Sequence, residues 1–421
     1  MGTVAEPVAA VRTRRATQVV ILGLALLILA MGIATWDPSY RRWGVLGVAL
    51  YAVPLVSCAF RSVTLRVWGF AFGIFMVAQS VLSVLLPSLP NDYVTLPHNM
   101  RLSLDVEAPN MPGISGIQNI TTDDQGYRVM PPVDYGNADA LRIFAIGGST
   151  TESIELDDQT TWPYLLQEGL NATLGRKVEV VNTGVSGLRA RNHLATLSHI
   201  LDLHPSAVVI LVGANDWGRQ IRSHFATVPL WFEAMRLRRT LLGLALLRLS
   251  GGAGDPLAHL NGTQETKVEN GDGLRQWQHS LDRPDKRRFT PTAVSSGYVD
   301  YLERISNLCH ERNIPCIFVT QPAAYSLDAS AEVRANFWGT PGFSSFTLPL
   351  EDMIGIVTLY NNFLVDFARK HDHPVCDLAA KLKGSFDSFY DEVHFNTAGS
   401  RKVAEELVPC VAAALHGLKS S

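Results

Sequence analysis

The chain has 421 residues, 47% of them hydrophobic and 18% charged, with a formal net charge of −3. That length and apolar content allow a sizeable core and more than one segment of distinct character. The small net charge argues against a polyanionic partner, so no nucleic acid is expected to bind. The charge is unevenly spread: residues 1–90 hold seven arginines and two acids, and the remainder holds 29 basic and 37 acidic side chains. A basic, apolar amino end ahead of a mildly acidic body suggests a membrane anchor followed by a separate domain.

Residues 1–16 are polar and basic, with Arg12, Arg14 and Arg15. Apolar runs follow at 19–35, 44–60 and 67–87, each long enough to cross a bilayer at about 1.5 Å per residue. A cleaved signal peptide would lead into polar sequence, whereas here two more apolar runs come after the first. Three transmembrane helices are therefore expected over 1–90. Placing Arg12, Arg14, Arg15, Arg61 and Arg66 inside, against Arg41 and Arg42 outside, satisfies the positive-inside tendency. This orientation predicts a multi-pass protein of the cytoplasmic membrane with an extracytoplasmic domain. A re-entrant second run would place that domain inside instead.

Residues 91–140 are rich in Pro, Asn and Asp and read as a linker and irregular lead-in, with Gln125-Gly126-Tyr127-Arg128 near the start of the domain. From 141 onward, short β-branched runs alternate with amphipathic windows. Strands are predicted at 141–146, 178–181, 207–212, 315–320 and 373–376, and helices at 160–174, 189–203, 295–311, 353–370 and 398–417. Such alternation implies parallel strands with crossover helices, an α/β fold in three α/β/α layers around a sheet of about five strands. Residues 218–291 interrupt the rhythm as an insertion. Within it, 228–249 is apolar with Arg236, Arg238, Arg239 and Arg248 interleaved. It could be a lid, a membrane-lying surface or an extra helical layer.

The five cysteines, Cys58, Cys309, Cys316, Cys376 and Cys410, form no CxxC, so neither a zinc ribbon nor a thioredoxin-like site is indicated. Cys309 and Cys316 flank a helix–strand turn, where a disulfide and buried thiols are both open. His371-Asp372-His373 with Cys376 has the composition of a metal cluster, but two histidines flanking an Asp in a turn usually point apart. No metal and no cofactor is expected.

Candidate chemistry gathers where the strands end. Gly147-Gly148-Ser149 follows the first strand, Val185-Ser186-Gly187 the second and Gly213-Ala214-Asn215-Asp216 the third, while Asp391-Glu392-Val393-His394 precedes the last helix. In an open parallel sheet these points share one edge, where ligands bind. A serine hydroxyl needs a base to become a nucleophile. His394 can supply it, with Asp391 fixing the imidazole tautomer. The N–H of Ser149, the N–H of Gly187 and the side-chain amide of Asn215 could form an oxyanion hole. Taken singly, Ser149 could cap a helix, Gly187 and Asn215 could be turn residues, and Asp391 with His394 could be a surface pair.

Together and in this order, the four segments resemble the active-site blocks of the SGNH/GDSL hydrolase superfamily over about residues 141–417. The sequence departs from that pattern at Gly148, where the family has Asp, at Ala214, and at Phe395, where Pro is common. The resemblance implies a flavodoxin-like SGNH fold, with Ser149, His394 and Asp391 catalytic and Ser149, Gly187 and Asn215 forming the oxyanion hole. It implies a serine esterase acting on small acyl esters, often acetyl groups on carbohydrate. The predicted membrane anchor adds an envelope-linked substrate or lipid-linked glycan to the expectation. Two alternatives remain at this stage: an O-acyltransferase that uses the same triad with a glycan acceptor, and a non-catalytic scaffold or binding module in envelope polysaccharide assembly. A protein partner is possible in either case.

Overall fold

A computed structural model describes residues 92–107, 111–136, 140–225, 267–270, 285–337 and 346–417, with 67–69, 71, 73, 74, 273 and 276. The chain divides into two units. One, Met1–Asn91 with Ala226–Asp255, contains few described residues. The other, Asp92–Phe225 with Pro256–Ser421, carries the fold set out below.

In chain order its elements are β1 (Arg101–Val106), β2 (Gly116–Thr121), β3 (Leu141–Gly147), α1 (Ser149–Glu152), α2 (Trp162–Leu174), β4 (Val178–Asn182) and α3 (Ala190–Ile200). Next come β5 (Ala207–Leu211), α4 (Ala214–Phe225), β6 (Lys267–Asn270), β7 (Asp285–Lys286), α5 (Ser296–Glu311), β8 (Cys316–Val319) and α6 (Ala331–Ala335). The last are β9 (Phe346–Thr347), α7 (Leu350–Lys370), β10 (Val375–Cys376), α8 (Leu378–Lys381) and α9 (Thr397–Gly417).

Five strands form the central sheet in the order β10-β8-β5-β3-β4, all parallel. Their near-continuous apolar runs fit a sheet covered on both faces. Helices α3, α5 and α7 pack on one face through Leu197, Leu302 and Leu364 among others. Helices α2 and α9 cover the opposite face through Leu166, Leu170, Val403 and Leu407. The charged exception in β3, Arg142, is buried and meets Glu179 of β4 at 3.2 Å. It also donates to the carbonyls of Asp134, Tyr135 and Leu203. α2 opens with Pro163 and closes at Gly175, whose φ of +60° is a common helix stop.

Register fixes the functional edge. Gly147 at the end of β3 pairs with Leu211 at the end of β5, and Ala145 pairs with Asn182 at the end of β4. Three adjacent strands therefore deliver their following turns to one place.

The stretch 91–140 contains an antiparallel pair, β1 and β2, and β6 from the insertion joins β1 in parallel to make a three-stranded sheet. Leu102, Leu104, Val106 and Ile120 of this sheet share a small core with Leu156, Val185, Leu188 and Tyr390. Of the insertion, 226–266 lies outside the described residues, and with it the predicted helices at 228–249.

The expectation of three transmembrane helices, and of a multi-pass protein of the cytoplasmic membrane with an extracytoplasmic domain, is corrected here. Among the described residues no helix is long and apolar enough to cross a membrane. The longest, α7 and α9, have 21 residues each. Both are interrupted by charge, at Glu351, Asp352, Asp366, Arg369 and Lys370 in one and Arg401, Lys402, Glu405 and Glu406 in the other. Such helices bury one face on a sheet rather than their whole circumference in lipid. The runs 19–35 and 44–60, and most of 67–87, lie outside the described residues.

Candidate active site

Two glycines set the nucleophile turn because nothing larger fits. A Cβ on Gly147 would lie 2.0 Å from Thr151 Oγ1, and one on Gly148 would lie 2.6 Å from Asn215 Nδ2. Ser149 then opens α1, one turn closed by Glu152 N–H donating to Gly148 O at 2.9 Å. Buried polar groups hold this turn from behind. Thr150 Oγ1 donates to Gln321 Oε1 at 3.0 Å, Trp162 Nε1 donates to Thr150 O at 3.0 Å, and Asn182 Nδ2 donates to Thr151 O at 2.7 Å.

His394 reaches Ser149 across the whole domain: its Nε2 is 2.7 Å from Ser149 Oγ. Its Nδ1 is 2.7 Å from Asp391 Oδ2. The other carboxylate oxygen, Asp391 Oδ1, accepts from the N–H groups of Val393 at 2.9 Å and His394 at 2.8 Å. Asp391 is thus fixed by its own turn and presents one oxygen to the imidazole. The Tyr390 ring lies nearly parallel to that of His394, at 11° and 5.5 Å between centroids, which further restrains the ring. The loop is pinned at both ends. Ala324 N–H donates to Glu392 O at 2.7 Å, and Asn396 Nδ2 donates to Pro112 O at 3.1 Å and Asp387 O at 2.8 Å.

Burial pushes the His394 imidazolium down in pKa. The Asp391 carboxylate more than reverses this by charge and hydrogen bond, with Glu155 and Glu392 adding to it, so the pKa rises to about 9. The site therefore favours the charged imidazole.

The two other predicted donors lie in the adjoining turns. Gly187 has φ +80° with open space where a Cβ would stand, so backbone conformation and not crowding calls for glycine. Asn215 lies in the first turn of α4, three residues after Val212 beyond the end of β5, and its Nδ2 donates to Leu188 O at 2.8 Å. An amide nitrogen carries two hydrogens, so one donor remains on that atom beside Gly148. The structure thus brings Ser149, His394 and Asp391 into one hydrogen-bonded line and sets Asn215 against the serine turn.

Several contributors are given no role by the sequence reading, which places Gln125–Arg128 only near the start of the domain. Arg128 is buried and donates to the carbonyls of Glu152 at 2.6 Å, Ser153 at 2.7 Å and Leu156 at 2.8 Å. It also pairs with Asp158 at 2.7 Å, and so holds the loop that leaves α1. Glu152 and Ser186, joined by a short hydrogen bond, connect α1 to the Gly187 turn. The only sequence signal for these is position: Ser186 precedes Gly187 within a motif segment, and Glu152 lies three residues after Ser149. The histidine cluster disperses: His373 Nε2 meets Ser306 Oγ at 2.8 Å and His371 Nε2 lies 3.3 Å from Glu303. Cys376 is joined to Cys410, and Cys309 to Cys316. Among the described residues no group of three His, Cys, Asp or Glu side chains is placed to hold a metal ion.

A serine, a histidine and an aspartate in line at the carboxyl edge of a parallel sheet define a class, the α/β serine hydrolases. Residues 145–402 match the GDSL-like lipase/acylhydrolase family, more than half of the chain, and the protein belongs to that family. It is accordingly an ester hydrolase, a serine esterase at the level of the family. No curated protein matches the chain. Among solved structures it is similar to a putative lipolytic protein of the G-D-S-L family from Desulfitobacterium hafniense, 13% identical, covering 64% of this chain and 99% of that one with a TM-score of 0.35. It is also similar to an acetyl xylan esterase, 16% identical over 64% of this chain and 99% of that one, TM-score 0.36. A variant acetyl xylan esterase from Geobacillus stearothermophilus is 14% identical, covering 64% of this chain and 94% of that one, TM-score 0.36.

Proposed function

We propose that the protein cleaves a small acyl group, acetyl above all, from a hydroxyl of a carbohydrate, through an acyl-enzyme on Ser149. The observation that carries this reading is the unbroken line from Ser149 Oγ through His394 to Asp391, with 2.7 Å at each step. His394 Nε2 takes the Ser149 proton as Oγ attacks the ester carbonyl. The oxyanion is met by the N–H groups of Ser149 and Gly187 and by Asn215 Nδ2. His394 then protonates the departing sugar oxygen, and the C–O bond breaks. Water, deprotonated by the same nitrogen, attacks the acyl-enzyme and releases the acid and the free serine. Asp391 stays ionised throughout and stabilises the imidazolium. The small acyl group and the sugar alcohol rest on the family resemblance of the motifs.

The test is hydrolysis of p-nitrophenyl acetate and of an acetylated oligosaccharide by the purified chain. Ser149→Ala should lower kcat by roughly 10⁴-fold or more and abolish labelling by a fluorophosphonate. Equal turnover by variant and wild type would remove Ser149 from the chemistry. Faster cleavage of octanoate than of acetate would overturn the small acyl group.

A further inference from the structure

We propose that Glu152 is a positioning residue for the reaction: its buried carboxylate grips Ser186 and thereby fixes the neighbouring Gly187 N–H as an oxyanion donor. This rests on the triad reading above and deepens it. The turn after β4 has a well-tied base and an exposed tip. Thr183 N–H donates to Ala145 O at 3.0 Å, Gly184 N–H to Asn182 Oδ1 at 2.9 Å and Val185 N–H to Gly147 O at 3.4 Å, so the base is sewn to the sheet. Ser186 and Gly187, by contrast, are exposed, and Gly187 adopts φ +80°, a conformation glycine leaves and enters freely. An oxyanion donor must be held in advance, since its value lies in costing no reorganisation as charge develops.

What reaches the tip is Glu152. Its side chain is 1% exposed and accepts a short hydrogen bond from Ser186 Oγ. The Ser186 backbone N–H also acts on the same carboxylate. The Ser186 side chain is therefore held, which restrains the peptide that follows it, the one carrying the Gly187 N–H. Glu152 is itself immobile. It ends the single turn that Ser149 begins, its backbone O is held by Arg128 at 2.6 Å, and its N–H lies 2.3 Å from where a Gly184 Cβ would be. Nucleophile and clamp thus sit at the two ends of one helical turn. Burying a carboxyl group is costly, and burial pushes this one up to about 7 despite the Ser186 and Arg128 contacts. A group kept at such a cost beside the reacting serine, yet not touching it, fits a positioning role.

The experiment measures kcat and KM for p-nitrophenyl acetate in the full chain with Ser186→Ala, Glu152→Gln, Glu152→Ala and the Ser186→Ala/Glu152→Ala double variant. Ser186→Ala changes an exposed side chain, so it keeps the test alive if Glu152→Ala fails to fold. Ser186→Ala should lower kcat by roughly 10-fold to 100-fold, with KM changed by less than about twofold. Glu152→Gln, whose amide oxygen can accept the Ser186 hydroxyl, should lose less than Glu152→Ala. The double variant should be no slower than the slower single one, since both act through one bond. Unchanged kcat in Ser186→Ala, or losses that multiply in the double variant, would overturn the assignment. Failure of the triad reading looks different: Ser149→Ala would then match the wild type, whatever the Ser186 variant did.

Discussion

The five-stranded parallel sheet is covered on both faces, and β4, β5 and β8 are buried at every position. The three-stranded sheet is not: β2 has Gly116, Ile117 and Asn119 exposed, with Gln118 and Ile120 turned inward. The larger sheet places Ser149, Gly187 and Asn215, three of the proposed reacting residues, because three parallel strand ends open on one edge. The smaller one supplies none of the residues assigned to the reaction. It supplies instead the braces. Thr121 of β2 donates through N–H and Oγ1 to Asp158, the partner of Arg128, and Pro112 in the β1–β2 connection accepts from Asn396, two residues past His394. Chemistry and rigidity thus come from different stretches of sequence, and the second is the less obvious.

Changes on the large-sheet edge should cost rate, and changes in the braces should cost stability first. The largest effect is expected from Asp391→Asn, a fall in kcat of about 10⁴-fold from loss of the tautomer restraint. Because the proposed base must be neutral, kcat/KM should rise with pH through the His394 pKa, raised to about 9. Removing the carboxylate that raises this pKa should move the midpoint down, and an unmoved midpoint would detach Asp391 from His394. Next comes Arg128→Ala, which takes the charge partner from buried Asp158 and a donor from three carbonyls. A loss of about 3–5 kcal/mol in denaturant unfolding is expected; wild-type stability would show that the brace is dispensable. Gly113→Ala is milder. At φ +83° its Cβ would meet Asn396 Nδ2 at 2.4 Å, so about 1–3 kcal/mol of stability should be lost, with a modest fall in kcat as the His394 loop shifts. The smallest effect is that of Glu155→Gln. Removing a charge that raises the His394 pKa should lower the pH midpoint by less than about half a unit, and should do so most clearly at low salt.

The same contrast explains what could be read from residues alone. β3, β4 and β5 are largely apolar runs bounded by glycines or turns, the signature of strands buried on both faces; three of the four motif segments follow their ends, and the fourth precedes the last helix. β1 and β2 were hidden: Arg101–Val106 carries two charges, and flanking prolines give it the character of a linker. The Glu152–Ser186 bond joins side chains 34 positions apart, one of them an ordinary hydroxyl, and only the tertiary fold makes it visible. The apolar runs near the amino end suggested spanning helices by length and hydropathy. Those criteria do not carry over to the described helices, whose apolar residues form one stripe facing a sheet.

The Cys376–Cys410 disulfide joins β10 to α9, and Asp391 and His394 lie in the segment it encloses. The proposed base and its partner therefore sit inside a covalent ring. A backbone break at the exposed Lys383 or Gly384 would sever the sequence without releasing any part of it. The severed piece would stay tethered opposite Ser149 at high effective concentration. Reduction of that one bond would turn the same nick into a loss of His394, Asp391 and the final helix together.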